Sequence, residues 1–247
     1  DLGVDVAGLG ASAGPAQATV AEIEAAGGSA VANTGSVTRR GDAEAMVRQA
    51  IESFGGLHAV INPAGFLRDA MFHKMDPADW DAVVDVHLGG AFNICRAAVG
   101  HFRQQGEGAF VLFASTSGLI GNVGQTNYGA AKMAVLGLMN TLAIEGQKHN
   151  VLVNAVSPAG LTRMTEDLVM TSGGSGGTAQ SRGRYMKSEL VSPAVVWMGS
   201  DLCNVTAHIF SAAAGGFYAG TFTGTYTAIV TPFRNGPVDE PALERLV

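Results

Sequence analysis

The chain has 247 residues, of which 47% are hydrophobic and 15% carry a charge. This length and composition suit one α/β domain of ordinary size with a substantial core. A formal net charge of −6 without a basic cluster argues against nucleic acid or a membrane surface as a partner. No 18-residue apolar span, signal peptide or metal site is predicted, so a cytoplasmic location is expected. Cys95 and Cys203 lie in apolar stretches, which favours buried free thiols over a disulfide.

The start of the chain is unusual. It opens at Asp1 without a methionine, and no strand followed by Gly-x-x-x-Gly-x-Gly is recognisable near it. The glycine-rich segment 8–14 lacks the hydrophobic strand that precedes a dinucleotide fingerprint. A surface loop is favoured for this segment, and a phosphate-binding turn is the alternative. We interpret the sequence as an amino-terminally incomplete fragment.

Hydrophobic periodicity predicts alternating helices and strands. In chain order these are a helix from Pro15, a strand at 30–33, a helix capped by Asp42 and ending at 54, a strand at 57–61, a helix at 79–102, a strand at 109–114, a helix at 127–147, a strand at 151–156, a helix at 192–200 and a strand at 208–213. The alternation predicts α/β architecture, a Rossmann-like, doubly wound parallel sheet in a single domain over 1–247 that lacks its first strand-helix-strand unit. Residues 171–184 are predicted to be flexible, and 221–247 form an unassigned tail.

Tyr128 and Lys132 stand at the start of the predicted helix 127–147. Residues four apart on a helix share one face, with Cβ atoms roughly 5–6 Å apart. A free phenol titrates near pH 10, and a neighbouring ammonium favours the phenolate, so this pair is suited to proton transfer. Ser115 follows the predicted strand 109–114, and ligands of open α/β sheets bind at strand carboxyl ends. Taken alone, the pair is weak evidence, and an exposed lysine and a half-buried tyrosine on an ordinary helix are favoured.

The segment 115–132 resembles the active-site signature of the short-chain dehydrogenase/reductase family. Asn62-Pro63-Ala64-Gly65 is similar to the family's Asn-Asn-Ala-Gly, and residues 154–162 resemble its Asn-x-x-x-Pro-Gly-x-x-Thr. The three motifs occur in the family's order. Asp1-Leu2-Gly3 and the glycine-rich loop after it look most like the branch of the (3R)-hydroxyacyl-CoA dehydrogenases, the multifunctional-enzyme type 2-like branch.

The resemblance implies roles for individual residues. It makes Tyr128 the acid/base and Ser115 the residue that orients the reacting oxygen, while Lys132 lowers the pKa of the phenol and holds the ribose. The cofactor-binding residues that it implies are Asp1, Val37, Asn62, Ala64, Gly65, Tyr128, Lys132, Pro158 and Thr162. An acidic residue at Asp1 favours NAD over NADP, because it repels a 2′-phosphate. Thr162 can alternatively be read as a helix cap.

Three positions depart from the family pattern. Pro63 replaces an asparagine and removes a backbone donor. Gly35 stands where relatives often carry an aspartate beside the adenine. His87 occupies the position of a fourth catalytic asparagine; a structural histidine is favoured there over a proton relay.

The expected function is hydride transfer between NAD(H) and a secondary alcohol or ketone, with a 3-hydroxyacyl-CoA as the favoured substrate. Steroid or other alcohols are close alternatives. A non-catalytic remnant is the alternative from another class, because the pyrophosphate would lack its usual helix N-terminus. The fragment as written is expected to bind NAD negligibly and to be inactive. The family's helix packing implies a homodimer or homotetramer.

Overall fold

The computed structural model describes residues 1–160, Thr162 and 187–213, and the backbone of 216–220. Within these residues, five strands form one sheet in the order β1-β2-β3-β4-β5. The strands are β1 (Ala59–Asn62), β2 (Gly108–Phe113), β3 (Val151–Ala159), β4 (Ile209–Ala213) and β5 (Gly216–Gly220). The first four are parallel, and β5 is antiparallel to β4. The predicted Rossmann-like parallel sheet is therefore confirmed.

Seven α-helices accompany the described strands. They are α1 (Gly14–Ala25), α2 (Arg40–Phe54), α3 (Pro77–Val84), α4 (Gly90–Gln105), α5 (Thr116–Leu119), α6 (Thr126–Gly146) and α7 (Ser192–Met198). Short 3-10 turns cover Phe72–Lys74, Gln147–His149 and Ser188–Leu190. Helices between successive parallel strands are what a doubly wound sheet requires.

The buried core lies on both faces of the sheet. Phe110 and Leu112 of β2 pack into a cluster with α2, α4 and α6, whereas Val111 between them packs against α7 on the other face. Side chains alternate across a strand, so a strand covered on both faces has an unbroken apolar sequence. This explains why the run at 109–114 was recognisable as a strand.

Helices α3 and α4 are joined by a π-helical turn, Asp85–Gly89, into one helix from Pro77 to Gln105. In the described part of the chain, this is the one helix long and apolar enough to cross a membrane by length and composition, which corrects the expectation that no such span exists. It packs against α2, α6, β1 and β2, and this packing buries part of its apolar surface. Cys95 on α4 and Cys203 are both buried and free, as predicted.

The structure differs from the predicted elements at three places. Residues 30–33 form no strand, because no described strand lies beside them; the Ala32 carbonyl accepts instead from the Gln49 side chain. Asp42 does not cap α2 but lies in its first turn, where it accepts from the Ser36 N–H. The sheet also gains β5 beyond the last predicted strand. The predictions for 171–184 and 221–247 lie outside the described residues.

The glycine-rich segment 8–14 lies on the surface and leads into α1, a helix without a buried residue. No described strand precedes it. The residues before it are tied to the loop after β1, where Leu67 N–H donates to the Val6 carbonyl and Arg68 Nε donates to the Ala7 carbonyl. The favoured interpretation as a surface loop fits this arrangement, since a dinucleotide fingerprint needs a strand directly before it and no described residue ahead of the segment forms one.

Candidate active site

A cavity of about 680 Å³ opens where β1, β2 and β3 end. Loops after these strands, together with α6 and α7, form its wall. The predicted site residues that line it are Gly65, Ser115, Tyr128, Lys132, Pro158 and Thr162, together with His87. Asn62 and Ala64 flank the lining residues Pro63 and Gly65. The structure thus brings residues from four distant stretches of sequence to one cleft.

Four of the predicted cofactor residues are not among those lining this cavity, namely Asn62, Ala64, Asp1 and Val37. Asp1 is exposed, and its carboxylate accepts from the Gly3 N–H at 2.7 Å. Val37 lies in the loop before α2, and its carbonyl accepts from Asn93 Nδ2 at 2.9 Å. Any part that Asp1 and Val37 play in cofactor binding therefore lies outside the cavity.

Ser115 is positioned by the end of β2. It has extended backbone (φ −160°, ψ 150°) and forms the N-cap of α5, with its Oγ accepting from the Ser117 N–H at 3.1 Å. The Ser115 hydroxyl also hydrogen-bonds the Tyr128 phenol. The cap fixes the serine rotamer, so the hydroxyl is held toward α6.

Lys132 is held in the floor of the cleft. It is only 6% exposed, and its Nζ donates to the Phe113 carbonyl at 2.8 Å. The same Nζ lies 5.6 Å from the centre of the Tyr128 ring. Burial lowers the pKa of Lys132 to about 7. The ammonium is therefore only partly populated at neutral pH.

The pKa of Tyr128 is raised, not lowered as the pairing with Lys132 predicted. Burial of the phenol is the largest cause, and the negative charge of Asp69 adds to it, whereas the hydrogen bond from Ser115 lowers the pKa. Lys132 is not among the causes of this shift, although its Nζ lies 5.6 Å from the centre of the Tyr128 ring. The sequence pattern correctly placed the two side chains on one helix face but gave the wrong direction of shift.

His87 lies in the π-helical turn and is 3% exposed. Its Nε2 is 2.9 Å from the Phe66 carbonyl, which can only accept, so Nε2 carries the proton. Nδ1 has no partner among the described residues. Burial, followed by the charge of Lys132, lowers the pKa of His87 to about 3. The ring is thus neutral near pH 7, which favours the structural interpretation over a relay that titrates near neutrality.

The ring of His87 also shapes the cleft. It meets the Tyr128 ring edge-on, with centroids 5.0 Å apart at 81°. On its other side it fills the space beside Gly65, where an added Cβ would lie 2.1 Å from the His87 Cε1 atom. Gly65 is therefore needed for backbone to approach the histidine. A π turn adds one residue to a helix and often marks a functional site.

The third predicted motif joins β3 to its neighbour. Asn154 is buried in β3; its Nδ2 donates to the Val205 carbonyl at 2.8 Å, and its Oδ1 accepts from the His208 N–H. This asparagine is a structural residue that sets the approach to β4. Pro158, farther along the strand, lines the cavity, so the motif contributes to both the sheet and the cleft.

A polar network that the sequence motifs do not indicate lies at the edge of the cleft. Gln125 is 3% exposed, and its Nε2 donates to Asp69 Oδ2 at 2.8 Å. Its Oε1 accepts from Ser117 Oγ at 2.8 Å and from Asn122 Nδ2 at 3.0 Å. A glutamine just ahead of the tyrosine helix was a visible signal, but its partner Asp69 lies 56 residues earlier in the chain.

The fold and the cleft define an α/β protein with a serine, a tyrosine and a buried lysine at the carboxyl ends of parallel strands. A family model described as short chain dehydrogenase matches residues 1–172. The chain therefore belongs to the short-chain dehydrogenase/reductase family, which is a family of oxidoreductases.

Individual relatives agree with this assignment. A protein from Mycobacterium tuberculosis, named as a short-chain type dehydrogenase/reductase, is 43% identical over 87% of this chain and 72% of its own length. Peroxisomal multifunctional enzyme type 2 from Mus musculus is 39% identical over 98% of this chain, which spans 31% of that longer protein. The crystal structure of a short chain dehydrogenase from Mycobacterium avium matches with a TM-score of 0.74 and 36% identity, covering 89% of this chain and 73% of the other. The predicted branch is confirmed by the similarity to the mouse enzyme.

Proposed function

We propose that this chain carries an NAD-dependent dehydrogenase site for secondary alcohols, with a 3-hydroxyacyl-CoA as substrate. The observation that carries the proposal is the placement of Ser115, Tyr128 and Lys132 together on one cleft at the strand ends. Tyr128 exchanges the proton with the reacting oxygen, and Ser115 orients that oxygen through its hydroxyl. Lys132 binds the ribose hydroxyls of the cofactor and stays anchored to the Phe113 carbonyl.

The protonation state of the Tyr128 phenol affects carbonyl reduction and alcohol oxidation differently. With its pKa raised, Tyr128 is protonated near neutral pH and is suited to donate a proton to a carbonyl oxygen. Taking a proton from an alcohol requires the phenolate, which the hydrogen bond from Ser115 stabilises. Alcohol oxidation should therefore accelerate as the pH rises above neutrality, while carbonyl reduction should not.

The residues present fit the nicotinamide end of a dinucleotide. Gly65 lines the cleft, the Nδ1 of His87 offers a buried acceptor without a described partner, and Lys132 offers a donor. Bound there, the nicotinamide would supply the acceptor or donor of the hydride. Asn62, Ala64, Pro158 and Thr162 would complete this end of the site.

For the pyrophosphate of the dinucleotide, the described residues offer no comparable binding site. The described residues contain no strand leading through a glycine-rich turn into a helix, which is the unit that binds the phosphates in Rossmann-like sites. We therefore expect the 247-residue chain alone to bind NAD weakly and to be inactive. An acidic side chain at Asp1 supports NAD over NADP, since it would repel a 2′-phosphate.

The substrate class rests on the similarity to multifunctional enzyme type 2, which covers 98% of this chain. Steroid and other secondary alcohols are the runners-up, because the predicted substrate loop at 171–184 lies outside the described residues. The cytoplasmic location stays a prediction, and the mouse relative is named as peroxisomal.

A homodimer or homotetramer also belongs to this proposal. Phe92 is 45% exposed and lines an open apolar groove with Val84, Leu88 and Leu138, at the join of the α3–α4 helix and α6. An apolar groove on a helix face fits burial against a second copy. Phe92→Asp should shift the molecular mass in sedimentation toward the monomer, whereas the exposed-site control Val123→Asp should not.

The test is NADH formation from a (3R)-hydroxyacyl-CoA and from a steroid alcohol by the full-length gene product. Tyr128→Phe should abolish turnover with both while leaving the protein folded. Turnover only with the steroid would replace the proposed substrate class. A folded protein that binds no NAD would favour the second candidate, a non-catalytic scaffold; the supporting observation is that the described residues contain no phosphate-binding strand-turn-helix unit.

A further inference from the structure

We propose that Asp69 is a positioning residue that acts through Gln125 to fix Ser117, and with it Ser115, at the substrate end of the cleft. This inference rests on the proposed function and adds a residue to it that touches neither substrate nor cofactor. Asp69 is exposed at the rim and is not among the residues lining the cavity. Apart from its negative charge, which adds to the raised pKa of Tyr128, its influence on the cleft passes through the side chain it binds.

Gln125 is the link. It occupies the N-cap position of α6, yet its side chain makes no capping hydrogen bond. N-cap side chains usually accept from the first turn of the helix, so this one is committed elsewhere. It is buried, and both ends of its amide are bonded, with Asp69 on one side and Ser117 and Asn122 on the other.

The carboxylate decides which way the amide faces. An ionised carboxylate only accepts, so the NH₂ group of Gln125 must point at Asp69 and the carbonyl oxygen must point at Ser117. The Ser117 hydroxyl then donates its single proton to Gln125. Toward the cleft, which it lines, Ser117 can only accept, and it therefore suits a hydrogen-bond donor on the substrate.

The network continues to the reacting groups. The Ser117 N–H donates to Ser115 Oγ at 3.1 Å, and the Ser115 hydroxyl hydrogen-bonds the Tyr128 phenol. Ser117 thus connects the two parts of the network, its hydroxyl bonding Gln125 and its backbone N–H bonding Ser115. Because Gln125 is buried, a substitution at either position that removes the match between donor and acceptor leaves a buried polar atom unpaired or places two like groups against each other.

The experiment exchanges the carboxylate of Asp69 and the amide of Gln125, singly and together, in the full-length gene product. Gln125→Glu places a second carboxylate against Asp69 and should lower kcat for 3-hydroxyacyl-CoA oxidation by about tenfold, with the KM for NAD little changed. Asp69→Asn can turn its carbonyl oxygen to Gln125 and should stay within about threefold of wild type.

The double variant tests whether the two positions act together. With both substitutions present, the amide introduced at position 69 can donate to the carboxylate introduced at position 125, so kcat should return to within about threefold of wild type. Gln104→Glu adds the same charge at an exposed site on α4 and is the matched control.

Hydrogen exchange of the Ser117 backbone N–H, followed by NMR, gives a readout that needs no turnover. Exchange should quicken by about tenfold or more in Gln125→Glu and slow again in the double variant, but stay unchanged in Gln104→Glu. If the wild type is inactive yet the amide responds in this way, the proposed function fails and the positioning network stands. If the wild type turns over and the double variant is no better than Gln125→Glu in kcat or in exchange, the inference is overturned.

Discussion

Lys132 Nζ donates to the Phe113 carbonyl at 2.8 Å, which ties the tyrosine-bearing helix α6 to the end of strand β2. The bond satisfies a carbonyl at the strand end and aims a buried amine at the cleft. Burial of the amine leaves the ammonium's charge poorly solvated, which explains why the pKa of Lys132 falls to about 7.

Replacing Lys132 should change how stability depends on pH. The folded-state pKa of about 7 lies below the ordinary lysine value of 10.5, so between these values the unfolded chain binds more protons. The wild-type free energy of unfolding should therefore gain a contribution as the pH rises from 7 to 10.5, with a slope of up to about 1.4 kcal/mol per pH unit. Urea unfolding of Lys132→Met should lack that contribution. Lys148→Met, at an exposed position, should follow the wild type.

His87 should make the fold sensitive to acid. Its folded-state pKa of about 3 lies below 6.5, so the unfolded chain gains a proton that the folded chain excludes as the pH falls through this window. His87→Asn should lose less stability than the wild type between pH 6.5 and the lowest pH at which both are folded. His73→Asn, at an exposed site, serves as control. If urea unfolding shows that the free energy of unfolding falls with pH by the same amount in wild type and in His87→Asn, the prediction is contradicted.

Ser115→Ala should lower kcat/KM for the alcohol by roughly a hundredfold, because the phenol and the reacting oxygen both lose a hydrogen-bonding partner. The pH range in which the rate of alcohol oxidation rises should also move to higher pH, because Ser115 lowers the pKa of Tyr128 in the wild type. Ser200→Ala is the matched control; its hydroxyl donates to the Trp197 carbonyl away from the cleft. Equal activity losses in the two variants would show that the effect is not specific to the cleft.

Gly65→Ala should destabilise the protein by roughly 1–3 kcal/mol, because the new methyl group overlaps the His87 ring and the surroundings must move. Activity should fall with it, since the displaced ring contacts Tyr128. The same substitution at Gly100 meets nothing within 4 Å and should stabilise helix α4 by about 0.5–1 kcal/mol. Thermal unfolding of both variants checks this, and a Gly65→Ala protein as stable as wild type would refute the predicted overlap.

Local patterns in the sequence indicated many of the secondary-structure elements of this protein. The apolar run at 109–114, the helix that carries Tyr128 and Lys132, and the turn ending at Gly65 were all readable from sequence, because burial on both sheet faces and helical spacing leave periodic signals. The order of the motifs indicated the family. Residues 30–33 show the limit of this approach, since a strand-like sequence forms a strand only when a partner strand lies beside it.

Tertiary structure decided the electrostatics of the cleft. The pKa of a phenol or an amine depends on burial and on neighbours from other elements, and the sequence does not show that the Lys132 ammonium faces a carbonyl or that Asp69 lies near Tyr128. The tautomer of His87 follows from the Phe66 carbonyl, 21 residues away in the chain. Several residues that line the cleft were therefore indicated by the sequence motifs, whereas their protonation states and the Asp69–Gln125 network depend on contacts that only the folded chain makes.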